Sequence, residues 1–160
     1  YRIITLMAIA MLFPITAFAQ AYVQTWDLVD SGKHLDYDKN STYMSYINTG
    51  AATWNAYKSG VIRKDSAFVV EDVYVSDVNA SNGWAGMTYS SGKIELNTYY
   101  MSGYSNSKKQ NVATHELGHA LGLDHSTSTD VMDAAITGHT STQALSQNDK
   151  DSYDAAYNNY

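Results

Sequence analysis

Within eleven residues, HELGHALGLDH from His115 to His125, three imidazoles and one carboxylate stand at spacings that few folds can satisfy. His115 and His119 are four apart, so on a helix both rings leave one face about one turn apart, where two nitrogens can meet one metal ion. Glu116 projects close to that face without having to bind the ion. Gly122 then ends the helix, because glycine takes the left-handed backbone that turns a chain sharply, and the turn can bring His125 back as a third ligand. Three protein nitrogens with one open position describe a catalytic zinc, whereas a structural zinc is normally closed by four ligands. His115, His119 and Glu116 at helical spacing alone could be accidental. All five fixed positions together should arise by chance in on the order of one chain in 10⁵.

The rest of the composition narrows what else the chain can do. It has 160 residues, enough for one domain with a proper core. There is no cysteine, which removes disulfides, thiol catalysis and thiolate zinc ligation together. Any metal must be held by His, Asp, Glu or carbonyl oxygen. The formal net charge is −6 with no basic cluster to neutralise phosphates, so no nucleic-acid partner is expected. Residues 1–19 read as a signal peptide: Arg2, then an apolar run from Ile3 to Phe18 broken only by Thr5, Pro14 and Thr16, then the small residues of Ala17-Phe18-Ala19. Cleavage is expected between Ala19 and Gln20, leaving residues 20–160 as a single catalytic domain, secreted or periplasmic, with no stable membrane association. Removing Arg2 leaves 9 Lys+Arg against 16 Asp+Glu, a net −7.

Along residues 20–160, His34–Asp38 alternates as a first strand. Ser41 is placed to cap a helix through about Ala56, with Tyr43, Met44, Ile47, Ala51 and Trp54 drawing one apolar stripe and Gly60 closing the unit. Residues 67–78 are β-branched and alternating, one long strand or two short ones. Residues 84–89 and 93–101 follow as strands around the Ser90–Ser91–Gly92 turn. The helix that carries the histidines is predicted from about Lys108 to Leu121, capped by Ser105, Asn106 or Ser107. A last helix begins after Ser146, with Leu145, Tyr153, Ala156 and Tyr157 facing inward.

His115–His125, followed seven residues later by Met132 in TDVMD, resembles the metzincin zinc proteases, and most of all their matrixin branch. Ser126 after the third histidine and the segment LSQNDKDSYDAAY are similar to matrixin features as well. The resemblance spans roughly Trp26 to Tyr157. It implies an α+β, metzincin-like fold: a twisted mixed five-stranded sheet with an active-site helix, a second long helix and a C-terminal helix. It implies a zinc-dependent endopeptidase, with one catalytic Zn2+ held by His115, His119 and His125. Zinc-bound water would attack internal peptide bonds with Glu116 as general base and then proton donor. Met132 would form the Met-turn beneath the metal, and the strand with Ile94, Glu95, Leu96 and Asn97 would be the sheet edge where a peptide or protein substrate adds. The enzyme is expected to act as a monomer.

The departures from that family are specific. No cysteine exists to cap the zinc, and Asp27 or Asp30 stands as the carboxylate alternative. The Pro-x-Tyr segment that usually follows the Met-turn is replaced by Asp133-Ala134-Ala135-Ile136-Thr137, which changes one wall of the expected cleft. No tyrosine lies two residues after Met132, so an astacin-like tyrosine ligand is not expected. His34 and His139 are too few for a second zinc and read as surface or turn residues. Asp77, Asn79 and Asn82 offer oxygen ligands for a Ca2+ ion that the resemblance implies. The rival readings are a secreted, zinc-stabilised binding or adhesion module without catalysis, and a hydrolase of cell-wall amide bonds.

Overall fold

The structure is a computed structural model that describes residues 20–66 and 69–160, so the signal peptide expected at 1–19 lies outside the described residues, as do Ala67 and Phe68 of the expected 67–78 strand. Strand β1 (Leu35–Asn40) leads into helix α1 (Met44–Asn55), then β2 (Ile62–Lys64), β3 (Val73–Val78), β4 (Gly86–Tyr89) and β5 (Lys93–Asn97). The short α2 (Thr98–Met101), the long α3 (Asn106–Ala120), a 3-10 turn (Ile136–Gly138) and α4 (Gln147–Tyr157) complete the chain. The five strands form one mixed sheet in the order β2-β1-β3-β5-β4, parallel throughout except for antiparallel β4 at one edge. The α+β architecture expected from the sequence is the one observed. No helix among the described residues is long and apolar enough to cross a membrane.

Leu35, Val73, Val75, Ile94 and Leu96 of the sheet close onto Ile47 and Trp54 of α1 and Leu117 and Leu121 at α3, all fully buried. The stripe read on α1 is the face that packs against α3. Trp54 donates its indole N–H to Thr114 O at 2.9 Å, which gives the one polar atom of a buried ring its partner. Ser41 does not cap α1. Its hydroxyl accepts from Tyr43 N instead, and its own proton goes to the Asp77 carboxylate, so the helix begins three residues later.

Three strand readings change. Pairing of β3 with β1 begins at Tyr37↔Val73, and upstream of it Val69 and Val70 stand 39% and 84% exposed. High β-propensity makes a strand only where a neighbouring strand is there to pair with it. The expected strand 93–101 stops at Asn97, whose side chain accepts from Tyr99 N and starts α2. The three residues of β2, absent from the sequence reading, are too short to show a period; Arg63 there pairs with the buried Asp36 of β1.

The C-terminal helix is tied to the region below the histidines by one carboxylate. Ser146 Oγ accepts from Asp149 N at 3.0 Å while Asp149 Oδ2 accepts from Ser146 N at 2.8 Å, a reciprocal capping box. The same carboxylate also accepts from Val131 N at 2.9 Å and Met132 N at 3.1 Å. Asp149 is fully buried. Replacing it by alanine leaves two buried N–H groups without acceptors, so Asp149→Ala is expected to lower unfolding free energy by about 2–4 kcal/mol in urea titrations. A loss below about 1 kcal/mol would mean that water replaces the carboxylate at little cost.

Candidate metal centre and cleft

Helix α3 is capped by Ser105, whose hydroxyl accepts from Lys108 N, and runs two residues earlier than predicted. It ends where expected. Gly122 has φ +85°, its N–H donates to His119 O at 2.9 Å, and Leu123 N donates to Gly118 O at 3.0 Å. This pair of bonds is the Schellman ending, and the left-handed residue it needs is the glycine. The chain then doubles back and brings His125 to the other two histidines. One ring nitrogen of each of His115, His119 and His125 lies within 4.8 Å of the others.

The outer bonds of the rings decide which nitrogens are free. His115 Nδ1 is 2.8 Å from Val131 O and His119 Nδ1 is 2.9 Å from Leu123 O. A carbonyl can only accept, so each Nδ1 carries the proton and each Nε2 presents a lone pair. His119 Nε2 and His125 Nε2 are 3.2 Å apart. Two nitrogens on one tetrahedral zinc stand about 3.3 Å apart, so the donor set and its spacing fit that ion. Burial, and then the neighbouring rings, push His115 down to about 3, and burial pushes His119 down to about 4. Both rings are therefore neutral near neutral pH, the form that ligates a metal. His125 is exposed at the mouth.

Glu116 shares this cleft, a cavity of about 370 Å³ bounded by β4 on one side and by Ala134, Ile136 and Thr137 on the other. The segment that departs from the family pattern thus forms a wall of the cleft. Burial raises the Glu116 carboxyl to about 7, against a lowering bond from Thr88. Met132 lies under the centre, 1% exposed, its sulfur over Gly118 of α3. Ser126 N donates to Met132 O at 2.9 Å, closing the loop between the third histidine and this methionine. His139 pairs with Asp133 at 2.8 Å and clips the turn that follows, a structural part in keeping with its reading as a turn residue.

Other expected site residues fall elsewhere. Strand β5 lies between β3 and β4, so the free edge beside the cleft is β4 and not the strand of Ile94, Glu95, Leu96 and Asn97. Ile94 and Leu96 are core, and Glu95 pairs with Lys93 and Tyr89. Asn97 holds the loop before β4 through Ala80 O and Trp84 O. An edge strand and its neighbour alternate alike in sequence, so alternation does not tell β4 from β5. Asp27 accepts from Val29 N, and Asp30 from Gly32 N and His34 N; neither lines the cleft. The carboxylate of Asp77 serves Ser41 and Thr42, and Asn82 Oδ1 accepts from Asn97, so the loop read for calcium is held by internal bonds. Asp30, Asp36 and Asp72 do converge, with Arg63 on Asp36 as their counter-charge.

Two residues that reach the centre have no motif to announce them. Residues 22–28 strap the turn: Gln24 N donates to Gly122 O at 2.7 Å and Leu28 N to Ala120 O at 2.9 Å. The Gln24 amide nitrogen lies 3.0 Å from His119 Nδ1, and its Oε1 is buried without a partner among the described residues. The second residue is Thr88, bonded to Glu116.

The three histidines, on the helix and on the return after its turn, form a group that could hold a metal ion, with a carboxylate in the same cleft and a methionine packed against the helix. The matrixin peptidase family model matches residues 15–158, and the chain belongs to that family. No curated protein matches it. The family makes the protein a zinc metallopeptidase acting on peptide or protein substrates, and the three histidines are a group that could hold the ion.

The shifted groups set a pH dependence for the zinc-free protein. Between about pH 6.5 and 4.5, the unfolded chain protonates His115 and His119 while the folded chain does not, and the folded chain holds one proton on Glu116 that the unfolded chain lacks. The unfolded state binds the net excess, so stability falls as pH falls, at about 1.4 kcal/mol per pH unit for one proton. Glu116→Gln removes the opposing proton and should steepen the fall. Urea midpoints across this range test it; equal slopes for the two proteins would mean that Glu116 is already ionised when folded.

Proposed function

We propose that this protein is an exported, monomeric zinc endopeptidase in which Glu116 is the general base. What carries the reading is the convergence of three imidazoles, two with Nδ1 committed to a carbonyl, on one cleft with a buried carboxylate. Zinc held by His115, His119 and His125 would supply an electrophile that acidifies water and polarises the scissile carbonyl. Glu116 takes a proton from the attacking water as its oxygen bonds to the carbonyl carbon. It then hands that proton to the amine nitrogen as the C–N bond breaks. An extended peptide would add along β4, the free edge beside the cleft, with its backbone groups pairing as an extra strand. The apolar leader at residues 1–19, with its small residues before Gln20, supports export.

The burial of Glu116 favours catalysis over a purely structural zinc. Among the described residues it makes no ion pair, and an isolated buried carboxylate costs stability that an apolar side chain would not. Peptide libraries cleaved by the zinc-loaded protein, with new termini identified by mass spectrometry, should show cuts that vanish in Glu116→Ala while zinc stays bound. Cuts that persist in that variant would remove Glu116 from the base role. Folded, zinc-loaded wild type that cuts nothing would favour a binding module. His125→Ala should weaken zinc retention by at least about tenfold, read by competition with a chelator; unchanged affinity would take His125 out of the ligand set.

A further inference from the structure

Glu116 belongs to α3, yet its seat is built by β4. Gly86 and Thr88, two apart on that strand, both face it and line the cleft. Thr88 is buried, and its Oγ1 is 2.7 Å from Glu116 Oε2 and 2.9 Å from Glu116 O. A hydroxyl has one proton to give, and an ionised carboxylate is the stronger acceptor, so the proton goes to Oε2. Gly86 supplies the space. A Cβ at that position would stand 2.5 Å from Oε1, 2.7 Å from Cγ and 2.8 Å from Cδ of Glu116, so the carboxylate lies directly over the glycine backbone. Among the described residues Oε1 accepts no hydrogen bond.

We propose that Gly86 and Thr88 are the seat of the general base, with Thr88 as a positioning residue that anchors Oε2 and leaves Oε1 as the oxygen that moves the proton. The inference rests on the reading of Glu116 as base. Oε2, tied to Thr88, cannot turn toward the substrate without losing that bond. Oε1 receives the proton from water as the C–O bond forms and releases it to the amine nitrogen as the C–N bond breaks. Because β4 is also the edge proposed to pair with the peptide, one strand sets both the position of the scissile bond and the direction of the base. A rigid element that carries both keeps their alignment within the tolerance that proton transfer requires.

The test compares Thr88→Val, Thr88→Ser, Gly86→Ala and Glu116→Ala in the zinc-loaded protein, with zinc content and Tm measured for each. Thr88→Val should lower kcat about 10- to 100-fold, the range for a lost hydrogen bond to a charged group, with KM within about twofold and one zinc retained. Thr88→Ser, which keeps the hydroxyl, should recover most of kcat. Gly86→Ala should lower kcat with zinc retained, by pushing the carboxylate off its seat. In zinc-free protein in alkaline buffer, the carboxylate infrared band of Glu116, isolated by subtracting the Glu116→Gln spectrum, should move in Thr88→Val and stay in Thr88→Ser. Wild-type kcat in Thr88→Val beside an inactive Glu116→Ala would overturn the seat and leave the base standing. Loss in Thr88→Val that Thr88→Ser does not recover would reduce Thr88 to packing and overturn the seat as well. Full activity in Glu116→Ala would overturn the base and the seat with it.

Discussion

Helix α3 is buried from Gln110 to Ala120 on every side, and the rest of the molecule is arranged to cover it. A helix of mixed polarity can be buried only if each polar side chain finds a partner. Gln110 bonds to Tyr46 O and Thr114, Asn111 to Ser141 O and Gln143 N, and the two helical histidines to carbonyls beyond the turn. Those partners come from α1, from the stretch before α4 and from the return loop. The elements around α3 therefore close its hydrogen bonds as well as its apolar surface.

Two straps hold the return loop under and beside this helix. Residues 22–28 pair with the backbone from Ala120 to Asp124, and Asp149 of α4 grips Val131 and Met132. Each strap comes from a far end of the chain, so the three imidazoles are in register only after the whole domain has closed. This is how a metal centre can be preorganised without a disulfide: the outer atoms of its ligands are fixed by backbone that is itself fixed by buried polar bonds. The buried carboxylate of Glu116 sits inside the same closure, where its burial without an ionic partner among the described residues costs stability.

Much of this was legible in local pattern. The stripe on α1, the Ser146 cap, the stop at Gly122 and the three histidines depend on neighbours within a few residues, and each lies where its spacing places it. The errors share one cause. Val69 and Val70 read as strand, and β5 read as the edge, because propensity and alternation say nothing of which strand lies alongside. Asp27 and Asp30 are the carboxylates that local sequence offers, but the side chain that arrives at His119 is Gln24, a residue type no motif singles out.

The histidine spacing, the helix-ending glycine and the lack of cysteine determined by themselves that a metal here would be held by three imidazoles at the end of one helix, since ligand chemistry and helical pitch are local properties. Which nitrogens are free to bind it, which strand borders the cleft, and where Glu116 rests were decided by tertiary structure. They depend on Val131 and Leu123 carbonyls, on β4 at the sheet edge, and on Gly86 and Thr88, groups brought to the site by packing between segments that the linear chain holds far apart.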